Sequence, residues 1–97
     1  MRLRARTDRN QTEIVKALRQ LGCSVRVISA LGKGVPDLLC GRQCRNFLLE
    51  VKDGRKPFSG RQLTPDEQRF KDEWAGQYAI VESVEDAVEY VLAECGR

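Results

Sequence analysis

Residues 34–52 read Gly34-Val35-Pro36-Asp37-Leu38-Leu39-Cys40-Gly41-Arg42-Gln43-Cys44-Arg45-Asn46-Phe47-Leu48-Leu49-Glu50-Val51-Lys52. Two extended apolar runs, Asp37–Cys40 and Phe47–Lys52, flank a polar turn at Gly41–Arg45, the pattern of a β-hairpin. Strand alternation sends Phe47, Leu49 and Val51 to one face and Leu48, Glu50 and Lys52 to the other. Counting outward from the turn brings Asp37 level with Glu50. A carboxylate and an ammonium at the end of an otherwise apolar strand need a reason, because neither is cheap to bury.

Around this hairpin the chain resolves into alternating elements. Upstream, Thr7 to Gln11 offers capping residues, and Ile14, Val15, Leu18 and Leu21 follow at helical spacing until Gly22. Val25-Arg26-Val27-Ile28 is a short β-branched strand, and Leu31 to Pro36 is a glycine-rich loop closed by proline. Downstream, Asp53 to Gln62 holds turn and basic residues. Thr64-Pro65-Asp66-Glu67 then carries a helix start, with Thr64 as cap, Pro65 at the first position and Glu67 completing a capping box. That helix is expected to carry Phe70 and Trp74 inward and to end at Gly76. A strand at Tyr78–Val81 follows, and Ser83 caps a last helix with Val84, Ala87, Val88, Val91 and Leu92 on one face. The predicted order is α-β-β-β-α-β-α: one α/β domain with a mixed four-stranded sheet flanked by helices.

Composition bounds the function classes. The 97 residues suit one domain, and 41% apolar with 32% charged residues describes a soluble globular chain. No apolar run approaches the roughly 20 residues needed to span a bilayer, and the basic start lacks the apolar stretch of a secretory signal, so a cytosolic protein is expected. Cys23, Cys40, Cys44 and Cys95 are therefore read as free, buried or half-buried thiols rather than disulfides. A zinc site using Cys40 and Cys44 is disfavoured, since the chain has no histidine. Charge is unevenly spread: residues 1–63 hold 14 Lys/Arg against 5 Asp/Glu, and residues 64–97 hold 3 against 9. The basic part suits a polyanion such as nucleic acid.

Two carboxylates held close repel unless a cation lies between them. Asp37 and Glu50 thus form a candidate site for a hard divalent ion such as Mg²⁺, with Lys52 on the same face to orient or help deprotonate a water or to neutralise transition-state charge. Lack of histidine excludes Ser-His and Cys-His nucleophile schemes. Lys33, Arg55, Lys56 and Arg61 flank the site as candidate phosphate contacts. Phe58 can wedge against a base, though a buried loop anchor is the expected role. Singly, each residue has an ordinary use: Asp37 as a turn aspartate after proline, and Glu50 with Lys52 as a surface ion pair.

Gly34-Val35-Pro36-Asp37 followed thirteen residues later by Glu50-Val51-Lys52 resembles the PD-(D/E)XK nuclease signature. Nearly the whole chain, from Glu13 through Leu63–Gln68 to Ser83–Asp86, is similar to a stand-alone VRR-NUC domain. These are small nucleases, many from phages and bacteria, related to Holliday-junction resolvases. The resemblance implies the restriction-endonuclease-like fold and Mg²⁺- or Mn²⁺-dependent hydrolysis of DNA phosphodiesters. Asp37, Glu50 and the Val51 carbonyl would be metal ligands and Lys52 the catalytic lysine. Glu13 would complete the acidic cluster, and Gln68 would match a glutamine that in the family often falls one residue nearer the helix start. Two symmetric cuts would call for a homodimer. The alternatives are a non-catalytic nucleic-acid-binding module on the same fold, or a protein–protein adaptor using the acidic C-terminal helix.

Overall fold

Two left-handed residues, Gln43 (φ 52°) and Cys44 (φ 65°), close the central hairpin, the backbone that two-residue hairpin turns demand. The turn is therefore narrower than the expected Gly41–Arg45, and both strands run closer to it. In the computed structural model, which describes residues 9–95, the elements are α1 (Arg9–Gln20), β1 (Ser24–Val27), β2 (Leu38–Arg42), β3 (Arg45–Val51), α2 (Pro65–Glu73), β4 (Tyr78–Val81) and α3 (Val84–Cys95). Short 3₁₀ turns occupy Ser29–Leu31 and Phe58–Arg61. Part of the expected cap of α1, Thr7 and Asp8, lies outside the described residues.

The sheet runs β1-β2-β3-β4. The first two pairings are antiparallel and the last parallel, so the β3-to-β4 connection must cross over the sheet, and α2 lies within it. Helices α1 and α3 pack together on one face, over Leu38, Cys40, Phe47, Leu49, Val51 and Val81. Ile14 and Leu18 of α1 and Ala87 and Val91 of α3 are fully buried there. The phenyl of Phe47 meets the Tyr90 ring edge-on at 5.7 Å.

The opposite face carries Leu48 and Glu50, with Tyr78 paired to Leu48 and Ile80 to Glu50. Here α2 sits, and none of its residues is buried. Its start is as expected: the Thr64 and Glu67 side chains form a reciprocal capping box, with Pro65 in the first turn. Its end is not. The helix stops at Glu73 because Trp74 adopts extended dihedrals (φ −78°, ψ 124°). Trp74 is therefore not carried inward. The residue is 47% exposed and its ring stacks on Phe70 at 5.0 Å, while Phe70 sits 6.1 Å from Tyr78. At the start of α3, Ser83 Oγ accepts from Asp86 N at 3.0 Å, as its capping role requires.

All four cysteines are free thiols: Cys23 and Cys40 are buried, Cys95 is half-buried and Cys44 is exposed in the hairpin turn. Burial pushes the Cys40 thiol up to about 12. Cys40 faces the core while Cys44 faces solvent, so the pair does not converge on a metal. No described helix is long and apolar enough to cross a membrane.

Candidate active site

Asp37 stands one residue before β2, and its position is fixed from both sides. Its carbonyl accepts from Ile28 N at 2.8 Å, continuing the β1–β2 ladder. Its carboxylate Oδ2 accepts from Val51 N at 2.8 Å. The hairpin pairs Leu38 with Leu49, so one step further Asp37 lies opposite Glu50, as the count from the turn requires.

The loop that delivers Asp37 presses on α2. Gly34 has φ +79°, and a Cβ there would lie 2.2 Å from the Asp66 carbonyl oxygen and 2.8 Å from Glu67 N. Only glycine meets both conditions. Pro36 behind it is buried and holds Val35 out of the helical region. One close approach thus sets the first turn of α2 against the loop carrying Asp37.

Glu50 is 2% exposed. Burial, then the charges of Asp37 and Glu67 and a side-chain hydrogen bond with Asp37, push its carboxyl up to about 8. Burial also raises Asp37, against the lowering effect of the Val51 amide. Lys52 Nζ lies 3.0 Å from Glu67 Oε1 and 3.6 Å from Glu50 Oε2. Burial pulls the Lys52 ammonium down, but the hydrogen bond and charge of Glu67, with Glu50 and Asp37 behind, outweigh it and raise it. Burial would raise Glu67, yet the Thr64 amide and Lys52 hold it below the usual range. Tyr78, paired with Leu48, senses the same cluster: burial and the charges of Glu50, Glu67 and Asp37 push its hydroxyl up to about 12.

The remaining expected residues are distributed as follows. Gln68 is exposed and donates to Asp72 Oδ1 at 2.9 Å, four residues on along the same helix. The structure does not bring it to Lys52; Glu67, one residue nearer the helix start, occupies that place. Each helical step turns about 100°, so only one of two adjacent residues can face the sheet. Glu13 is exposed on α1 and lines a groove with Asn10, Gly54, Arg55, Glu82 and Asp86, rather than joining the carboxylates that shift Glu50. Lys33 and Lys56 are exposed. Arg55 is exposed and forked onto Asp53 at 2.9 and 3.0 Å, and Arg61 is tied to Glu82 at 3.2 Å. Phe58 is 73% exposed rather than a buried loop anchor; it opens the 3₁₀ turn at Phe58–Arg61, which buries none of its residues.

Glu67, Asn10 and Tyr78 belong to the neighbourhood without having been expected there. The buried Asn10 donates from Nδ2 to Lys52 O at 3.0 Å and to Glu82 O at 3.3 Å, tying α1 to the end of β3. The sequence signal for Glu67 was present, but it was absorbed by the capping box.

The donor set fits a hard divalent cation. Among the described residues no group of three or more His, Cys, Asp or Glu side chains is arranged to hold a metal. An ion here would rest on two carboxylates, Asp37 and Glu50, with backbone, water and phosphate oxygens completing its shell, the habit of Mg²⁺. Burial raises both carboxyls, and the charge of Asp37 raises Glu50 further, a conflict that a cation between them resolves.

A solved structure described as a VRR_NUC domain is similar to this chain, at a TM-score of 0.58 and 27% sequence identity, over 92% of this chain and 95% of that one. No protein-family model and no curated protein matches the chain. The resemblance carried by the Gly34–Asp37 and Glu50–Lys52 motifs is borne out: the chain has the restriction-endonuclease-like fold of a VRR-NUC domain, a nuclease-family domain, and is similar to it over nearly its whole length.

Proposed function

We propose that the chain is a divalent-metal-dependent DNA endonuclease, selective for branched structures in the manner of Holliday-junction resolvases and acting as a homodimer. The observation that carries this reading is the triad at the end of the hairpin: Asp37 and Glu50 level on adjacent strands, Glu50 2% exposed, with Lys52 3.6 Å from Glu50. Such a set is costly to maintain for structure alone.

Asp37 and Glu50 would hold Mg²⁺ or Mn²⁺, with the Val51 carbonyl as a further oxygen. When bound, the ion supplies positive charge that polarises a phosphate and acidifies a water. Lys52 contributes a fixed positive charge. Against the pull of burial, the hydrogen bond and charge of Glu67 raise the Lys52 pKa; as an ammonium it would orient the attacking water or donate to phosphate oxygens as charge builds on them. Glu67 holds the ammonium in place from the far side. In the reaction a water oxygen would form a bond to phosphorus as it gives up a proton to solvent, while the bond to one ester oxygen breaks in line and that oxygen leaves as an alcohol after taking a proton from solvent. Lys33 and Lys56, with Arg55 and Arg61, position the strand through its phosphates without reading sequence.

The test is incubation of a labelled four-way junction and its matched linear duplex with Mg²⁺, Mn²⁺ or EDTA. Cutting with either metal and none in EDTA is expected, with the junction cut faster. Salt-dependent binding without cutting would instead make the chain a non-catalytic binding module.

A further inference from the structure

We propose that Phe58 stacks on an unpaired base, and that the substrates of this site are DNAs whose bases are uncovered beside the scissile phosphate. This rests on the nuclease reading above. Phe58 is 73% exposed, more than Val27, Leu31, Leu39 or Trp74. Single exposed apolar residues are common, so exposure decides nothing alone. The loop that carries Phe58 does.

Residues 53–63 leave the sheet directly after Lys52 and return at Thr64, beside the Glu67 that grips Lys52. Both ends of the loop therefore close on the same lysine. The loop is 11 residues long with a 3₁₀ turn inside it, and loops positioned by a rigid scaffold are where binding residues concentrate. This one is also built to hold its shape. Gly54 N donates to Glu82 O, Lys56 N to Asp53 O and Gly60 N to Pro57 O, all at 2.9–3.1 Å. Arg61 pairs with Glu82, and Gln62 Nε2 donates to the carbonyl of Phe58 itself at 3.2 Å. A phenyl on a loose loop can collapse onto the body; here hydrogen bonds on both sides fix the backbone that carries the exposed ring.

Its neighbours define the occupant. Lys56 is exposed two residues before it, and Arg55 and Arg61 flank it as ion pairs with Asp53 and Glu82, a charged setting unsuited to an apolar protein surface, with Lys56 placed to meet a phosphate. A rigid aromatic face among cations is the pairing used for nucleobases with accessible faces. In an intact duplex those faces are covered by stacking, and uncovering one costs free energy. A junction, flap or mismatch offers one already uncovered.

The test is binding in EDTA, so that no cutting is needed. A four-way junction with 2-aminopurine at the branch point and a matched duplex would be titrated with the wild type, Phe58→Ala and Phe58→Trp. Phe58→Ala is expected to weaken junction binding by about 10-fold, to leave duplex binding within about 2-fold and to abolish the 2-aminopurine change; Phe58→Trp is expected to retain both. Unchanged junction affinity and fluorescence in Phe58→Ala would overturn the proposal. So would equal weakening on both DNAs, or a change confined to self-association, which would make Phe58 a protein contact. Stacking without cutting in Mg²⁺ would sink the nuclease reading alone, and cutting without stacking would sink this one alone.

Discussion

Glu67 Oε1 accepts from Lys52 Nζ at 3.0 Å and from the Thr64 backbone N–H at 2.9 Å. One carboxylate oxygen therefore joins the first turn of α2 to the end of β3. Because α2 buries none of its own residues, this link, the Gly34 contact and the Phe70–Tyr78 ring contact hold the helix over the site. The cap and the placement of Lys52 are consequences of the same side chain.

Replacing that side chain is expected to cost more than a cap. Glu67→Ala removes the reciprocal hydrogen bond and the partner of Lys52, for about 1–2 kcal/mol in urea denaturation, and lowers the cleavage rate as Lys52 loses its fixed position. Glu67→Gln keeps an acceptor for both donors and should recover most of the stability. Gln68→Ala, one residue on, should change stability by less than about 0.5 kcal/mol and leave cleavage within about 2-fold. Equal effects at the two positions would mean that the helix faces the site in the other phase.

Stability should fall as pH rises in the absence of divalent metal. Glu50 sits near 8 in the folded protein against 4.5 as a free side chain, so between those values the folded state binds more protons than the unfolded state, and raising pH favours unfolding. Asp37 is raised too and adds the same sign. Glu67, held low, acts in the opposite direction, but only in the acid range below its unfolded value. The loss from pH 5 to pH 8 should be at most about 5 kcal/mol. It should shrink in Glu50→Gln, which leaves the smaller contribution of Asp37, and shrink when Mg²⁺ or Mn²⁺ is added. Urea midpoints at the two pH values, with and without metal, measure it; a midpoint that rises with pH would contradict the electrostatics assigned to Glu50.

Gly34→Ala is expected to be among the more damaging single-methyl additions in the chain. The new Cβ would fall 2.2 Å from the Asp66 carbonyl oxygen, on a backbone at φ +79°. Strain and overlap together should cost at least about 2 kcal/mol, and the loop can relieve them only by drawing Asp37 and α2 apart. Thermal denaturation together with metal titration would separate the two effects. Loss of metal affinity beyond the loss of stability is the expected outcome.

Much of the site was legible because a hairpin is a ruler. With a period of two and a short turn, the distance from the turn fixes who faces whom, and Asp37 met Glu50 even though the turn contracted to Gln43–Cys44. The capping box at Thr64–Glu67 was legible for the same reason, being local. A second partner for Glu67 was not, because Lys52 reaches it only through the crossover that brings α2 back over the sheet. The choice between Glu67 and Gln68 is one of helix phase, and a 9-residue helix without buried positions gives no apolar stripe to set it. Trp74 followed helical spacing from Phe70 yet left the helix, since the break after Glu73 carries no proline and falls before Gly76. Phe58 lies in a loop with no periodicity, where burial is decided by hydrogen bonds distant from the residue itself.

The most direct measurement is the single-turnover cleavage rate of Lys52→Met against wild type, on a four-way junction at saturating Mn²⁺, with DNA affinity measured in parallel in EDTA. If Lys52 stabilises charge on the reacting phosphate, the rate should drop by about 100-fold or more while affinity stays within about 3-fold. A variant that cuts at the wild-type rate would contradict the assignment of the Asp37–Glu50–Lys52 cluster as the catalytic centre.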